Sequence, residues 1–154
     1  MKIISGGQIG VDRAALDAAL KHGVECGGWV PAGRLDETGR IPDRYPVTEL
    51  EEGGFDDRTR KNVEESDGTV IIHFGELSGG TEQTAHFCSG ENKVCRLINA
   101  KEHSAQKAAT LIADFVREHN IEVLNVAGPR KSEWPEGYDY ALRVLEIFLR
   151  RMVR

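Results

Sequence analysis

Two glycine-rich stretches hold most of the residues here that could do chemistry. Ser5-Gly6-Gly7-Gln8-Ile9-Gly10-Val11-Asp12 lies between the apolar run Lys2-Ile3-Ile4 and a helix-like segment, Arg13 to Leu20. Gly75-Glu76-Leu77-Ser78-Gly79-Gly80-Thr81-Glu82 lies between Thr69–Phe74 and a second helical segment. Glycine lets a backbone take positive φ and lets a ligand approach closely. A helix start offers unpaired N–H donors and the positive end of a dipole. Such a junction binds phosphate or another anion. Gly6, Gly7, Gln8, Ile9 and Gly10 are therefore candidate ligand contacts in the first loop, and Gly79, Gly80 and Thr81 in the second. The spacing GGxxG is neither the GxGxxG dinucleotide fingerprint nor a P-loop, since no Gly-Lys-Ser/Thr follows.

Two carboxylates belong to these loops. Asp12 sits where it could cap the first helix, pair with an arginine, or accept hydrogen bonds from ligand hydroxyls or ring nitrogens. Glu82 could hold a ribose hydroxyl, act as a general acid or base, or only complement the helix dipole. Asp12 and Glu82 are the candidate catalytic residues. Arg58 and Asn62 share a helix face with Thr59 and Ser66, and that helix has Val63 as its one large aliphatic residue. Arg58 is suited to bidentate phosphate binding. Arg130, after Gly128-Pro129, is a similar candidate. The five histidines are scattered and form no metal-ligand pattern, so no protein-ligated metal is expected. His73, inside a strand, reads as a satisfied core residue.

These residues need a scaffold. Strands are expected at Lys2–Ser5, at Val24–Cys26 (continuing towards Trp29-Val30), and at Thr69–Phe74, Lys93–Ile98 and Ile121–Val126. Helices are expected at about 12–22, with Asp12 as N-cap, 57–66, 81–88, with Thr81 as N-cap, 104–119 and 136–152. Ala15, Leu16, Ala19 and Leu20 make the first helix's buried stripe. Tyr138, Ala141, Leu142, Leu145, Phe148, Leu149 and Met152 make a wide one on the last. Alternating strands and helices predict one α/β domain over residues 1–154, with a mostly parallel sheet of about five strands. If both glycine loops serve one ligand, the first and third strands are neighbours and the order is 2-1-3-4-5. Residues 31–54 lack periodicity but carry Leu35, Ile41, Tyr45 and Val47. They read as an ordered loop facing the ligand.

Composition bounds the function. The chain has 154 residues, net charge −5, and 40% hydrophobic residues, which fits a globular domain without the basic face of a nucleic-acid binder. No nucleic-acid polymer and no membrane are expected as partners. No run approaches the ~20 apolar residues of a membrane span. No signal peptide is visible, and three cysteines without CxxC spacing read as free thiols in a reducing cytoplasm.

Ser5–Arg13, Gly28–Arg34, Asp43-Arg44-Tyr45-Pro46, Arg58-Thr59, Asn62-Val63, Ser66–Thr69, Gly79-Gly80-Thr81 with Thr84, and Asn125–Arg130 together resemble the molybdenum (molybdenum cofactor) carrier family. The resemblance spans essentially the whole chain. It implies a Rossmann-like three-layer fold within a superfamily that includes lysine-decarboxylase-like phosphoribohydrolases. It further implies a phosphorylated pterin- or nucleotide-like ligand at the two glycine loops, the molybdenum cofactor as a candidate bound ligand, and a homodimer or higher homo-oligomer. Hydrolysis of a nucleoside-monophosphate N-glycosidic bond and nucleotide sensing are the alternatives. The hydrolases carry Pro-Gly-Gly-x-Gly-Thr-x-x-Glu; here Ser78 replaces the proline, the inner glycine is absent, and Glu82 follows Thr81 directly.

Overall fold

A computed structural model describes residues 1–152. Its centre is a parallel sheet of five strands: β1 (Lys2–Ile4), β2 (Glu25–Gly27), β7 (Gly68–His73), β8 (Val94–Asn99) and β9 (Val123–Ala127). The helices are α1 (Val11–Lys21), α2 (Phe55–Glu65), α3 (Gly79–Gly90), α4 (Ala105–Glu118) and α5 (Gly137–Met152). α1, α4 and α5 pack together on one face of the sheet, and α2 and α3 pack on the other. These are the three layers expected. Val70, Ile71 and Ile72 of β7 are fully buried, as an unbroken apolar run in a central parallel strand should be.

The strand order is β2-β1-β9-β7-β8. The expected order 2-1-3-4-5 is therefore wrong, because the last strand inserts between the first and third. Its register is parallel to both neighbours, with Ile4 beside Asn125 and Thr69 beside Asn125 on the other side. Two loops need not sit on adjacent strands to share a ligand, since one intervening strand adds only about 5 Å. β9 also ends in Ala127-Gly128, which leaves space above it. A Cβ on Gly128 would lie 2.4 Å from the Ile72 carbonyl oxygen and 2.7 Å from Val11. If β9 and α5 preceded β1, the strands would read 3-2-1-4-5, the doubly wound order of dinucleotide-binding sheets. The order then reverses between β9 and β7.

Local departures have local causes. The second strand does not run on to Trp29-Val30. Gly28 turns the chain at φ 126°, where a Cβ would strike the Ser5 backbone. β3 (Trp29–Val30) then pairs in parallel with β6 (Thr48–Glu49) in a separate two-stranded sheet, and β4 (Leu35–Asp36) and β5 (Gly39–Arg40) form a hairpin. Asp12 does not cap α1. Gly10, at φ 124°, is the N-cap, and its carbonyl accepts the Ala14 amide at 3.1 Å. Thr81 does not cap α3 either, because Ser78 is the last extended residue and Gly79 starts the helix. α1 is buried almost all round, with Ala14, Ala15, Ala18 and Ala19 at 0–1% exposure between the sheet and α5. Leu20 escapes that burial at 44%, and Met152 on α5 is 42% exposed, so both expected stripes are shorter than drawn.

Candidate functional site

The carboxyl ends of β1, β9 and β7 open into a cavity of about 250 Å³. Its wall takes Gly6, Gln8 and Asp12 from the first junction and Gly80, Thr81, Gln83 and Thr84 from the second. β9 and the turn after it add Asn125, Ala127, Gly128, Arg130 and Glu133, and α2 adds Phe55, Asp56, Arg58, Thr59 and Asn62. The fold thus brings together eight of the predicted residues: Gly6, Gln8, Asp12, Arg58, Asn62, Gly80, Thr81 and Arg130.

The two glycine loops are not equivalent. The first turns two of its amides onto its own side chains. The Gly7 amide donates to Ser5 Oγ at 3.3 Å and the Ile9 amide to Gln8 Oε1 at 3.1 Å. Gly7, Ile9 and Gly10 lie off the wall. Gly7 turns at φ 71° against Ile41 and Val30, the Ile9 carbonyl accepts the Lys131 amide at 2.8 Å, and Gly10 bridges to Arg130. The second loop behaves as a helix start should. The first α3 amide with a backbone acceptor is that of Glu82, to Ser78 at 3.2 Å. Among the described residues the amides of Gly79, Gly80 and Thr81 have none, which leaves three donors at the positive end of the dipole. Gly79 itself is off the wall, its backbone at φ 53° setting up Gly80 and Thr81. Glu82 points away: it is exposed on α3 and does not line the cavity.

Asp12 is the buried carboxyl of the site, 6% exposed with Oδ1 unpartnered. Burial pushes it up to about 6, against the pull of the Arg58 guanidinium, the amides of Gln8 and Gly128, and Arg13. Arg58 is 8% exposed, and the same desolvation lowers it. Its Nη1 donates to the Gly6 carbonyl at 2.5 Å and its Nε to Thr59 Oγ1 at 3.0 Å. Asn62 is a clamp. Its Oδ1 accepts the Trp29 amide at 2.8 Å and its Nδ2 donates to the Trp29 carbonyl at 3.0 Å, tying α2 to β3. Arg130 is half-exposed and shared between Glu133 at 3.0 Å and Glu37 at 3.7 Å. Among the described residues no cluster of three His, Cys, Asp or Glu could hold a metal ion.

Residues 31–54 are ordered but contribute nothing to the cavity wall. They brace the first loop from behind. Asp36 takes Arg13 Nη2 at 2.8 Å while Arg13 also holds the Gly7 carbonyl, and the Glu37 amide donates to Gln8 Oε1 at 2.8 Å. Burial favours protonation of Asp36, but the Thr38 amide and hydroxyl and the Arg13 guanidinium outweigh it and hold the carboxyl below its usual range. Arg34, at φ 55°, gathers the segment by donating to the carbonyls of Ile41, Pro42, Tyr45 and Val47. His73 is buried, with Nδ1 2.7 Å from the Gly75 carbonyl, the satisfied core residue expected.

Sequence reasoning missed Phe55, Gln83, Thr84, Asn125 and Glu133 on the wall. Asn125 had a signal, a polar side chain inside an apolar strand; it is 2% exposed and donates to Thr69 Oγ1 at 3.2 Å. Phe55 had none, because a single aromatic at a helix start reads as packing, yet it is 40% exposed on the cavity rim.

Comparison with known proteins places the fold. A crystal structure from Syntrophus aciditrophicus SB, of a protein named "putative molybdenum carrier protein", is 49% identical. The match covers 96% of this chain and 94% of that one, with a TM-score of 0.94. No curated protein matches. A family model described as "Circularly permutated YpsA SLOG family" matches residues 3–149, and its name fits a sheet whose last strand occupies the place of a first. On the strength of that match, the chain belongs to the circularly permutated YpsA SLOG family.

Proposed function

We propose that the cavity binds a phosphorylated small molecule of pterin or nucleotide character, and that the protein carries a ligand of the molybdenum cofactor class. The observation that carries this reading is the open start of α3. Gly80 and Thr81, whose amides are free, line the same cavity as Arg58, a buried guanidinium with only neutral hydrogen-bond acceptors. A phosphate at Gly80 and Thr81 would use the amides, and Arg130 on the same wall would help balance its charge. The first loop is the poorer phosphate seat, because the Gly7 and Ile9 amides are committed and Asp12 adds negative charge. The named relative supports the carrier reading. The wall holds no histidine or cysteine, so a molybdenum ion would arrive bound to its cofactor's own sulfur atoms.

Native mass spectrometry of the purified protein, with calorimetry against molybdopterin, tests this. A bound phosphorylated pterin or micromolar affinity is expected; no association with molybdopterin overturns the carrier role. Asp12 favours a second reading, N-glycosidic bond hydrolysis. A carboxyl raised to about 6 on a cavity wall can exchange protons near neutral pH. The exposed Glu82 then has no part in it. Release of free base from a panel of nucleoside monophosphates, lost in Asp12→Asn, would establish that activity. A homodimer or larger assembly belongs to the same reading, and sedimentation checks it.

A further inference from the structure

The cavity floor holds two buried, opposite charges that do not pair. Asp12 and Arg58 are 6% and 8% exposed, and both line the cavity. Among the described residues no ion pair within 4.0 Å joins them. Neither has its hydrogen-bonding capacity filled by the protein. Asp12 Oδ1 has no partner. Arg58 uses Nη1 and Nε on Gly6 and Thr59, and its Nη2 has no protein acceptor among the described residues. Buried groups are ordinarily satisfied, and a buried charge without its partner is costly. The pair is therefore shaped for an occupant that brings what both lack: a hydrogen-bond donor for the carboxylate beside an acceptor for the guanidinium.

Phosphate ions and sugar phosphates do not fit that demand well. A phosphate offers acceptors and would meet Asp12 as a like charge. A sugar hydroxyl is both donor and acceptor, but it is not held in a plane. The edge of an amino- or oxo-substituted purine or pterin carries a donor and an acceptor on neighbouring atoms, fixed in one plane. A planar ring also suits a third feature of the wall. Phe55 sits one helical turn before Arg58, 40% exposed at the rim, with the Arg58 guanidinium carbon 5.3 Å from its ring centroid. An exposed aromatic face beside a cation is a stacking surface.

We propose that Asp12, Arg58 and Phe55 form a subsite for a planar nitrogen heterocycle. The Asp12 carboxylate accepts from a ring N–H or amino group, Arg58 Nη2 donates to the neighbouring ring oxygen or nitrogen, and Phe55 stacks on the ring. The proposal rests on the reading that the ligand's phosphate occupies the start of α3. It assigns an orientation: ring towards α2, phosphate towards α3.

Calorimetry on the full chain tests it with four kinds of probe. Guanosine and adenosine 5′-monophosphates and 6-hydroxymethylpterin monophosphate carry the donor–acceptor edge. Purine riboside 5′-monophosphate keeps the ring and lacks the exocyclic donor. Ribose 5-phosphate has no ring base, and inorganic phosphate reports the anion alone. At least one edge-bearing probe should bind at least about tenfold tighter than purine riboside 5′-monophosphate, because the analogue leaves a buried acceptor unpaired. Asp12→Asn should remove that preference. Phe55→Ala, at an exposed position that does not endanger the fold, should weaken every ring-bearing probe about tenfold while leaving ribose 5-phosphate within about twofold. Equal affinity for purine riboside 5′-monophosphate and the edge-bearing probes overturns the subsite. If ribose 5-phosphate still binds in that case, the phosphate reading survives. Absence of binding by all probes overturns both.

Discussion

Asp12 and Asn62 show how differently two polar residues on one wall can act. Asp12 costs stability when ionised. Its carboxyl is raised from 3.8 to about 6 on folding, so between those values the native state holds more protons than the unfolded chain. Stability from this group therefore falls as pH rises through about 4 to 6, by about 3 kcal/mol in all. Other carboxylates slope the opposite way. Asp36, held low by its partners, contributes stability that is lost as pH falls below its unfolded value. The informative measurement is thus the difference in urea-unfolding free energy between wild type and Asp12→Asn across pH 3 to 8. The variant should gain on the wild type through that window, and a flat difference would contradict the burial of Asp12. Asn62 works for the fold. Asn62→Ala leaves the Trp29 amide and carbonyl without partners, and a loss of about 2–3 kcal/mol is expected in the same unfolding assay.

The elements around the site divide into those that carry it and those that prop it. The segment 31–54 props it through Arg34, whose guanidinium collects four backbone carbonyls. Arg34→Ala should speed amide hydrogen exchange across 31–48 by at least about tenfold and leave β7 protected, since the sheet shares none of those bonds. Exchange unchanged in that segment would mean that the apolar anchors Ile41 and Tyr45 suffice. Gly128 acts between elements. With a Cβ 2.4 Å from the Ile72 carbonyl oxygen, Gly128→Ala must push β9 from β7 or α1 from the sheet. Neither backbone yields cheaply, so a loss of about 3 kcal/mol is expected in thermal or urea unfolding.

At the scale of the whole molecule the order β2-β1-β9-β7-β8 makes the C-terminal strand–helix pair the middle of the fold. A permutant that starts at Asn120, with the original chain ends joined by a short Gly-Ser linker, should recover the same sheet, because β9, α5 and β1 then form an ordinary right-handed unit. Its circular dichroism should match the parent, with a Tm within a few degrees; an unfolded permutant would show that the natural chain order is needed for stability. Most of the architecture was legible in the residue pattern. Apolar runs of strand length, helical stripes and glycine-rich junctions located all five sheet strands, the helices and both loops to within a few residues, because they depend on contacts between near neighbours in the chain. Arg58 with Asn62 was legible for the same reason, since helical spacing puts them on one face. Strand order was not legible, because it depends on which backbones fit beside one another, as the Ala127-Gly128 end of β9 fits between Ile72 and Val11. The roles of the two glycine loops were not legible either. Both read as anion cradles, and only the packed structure turns the Gly7 and Ile9 amides onto side chains of their own loop while leaving those of Gly79, Gly80 and Thr81 open. Asp12 is the sharpest case: its position in the chain says helix cap, but burial against distant Arg58 and Gly128, which no local pattern encodes, makes it a buried carboxyl on the cavity wall with one oxygen unpartnered.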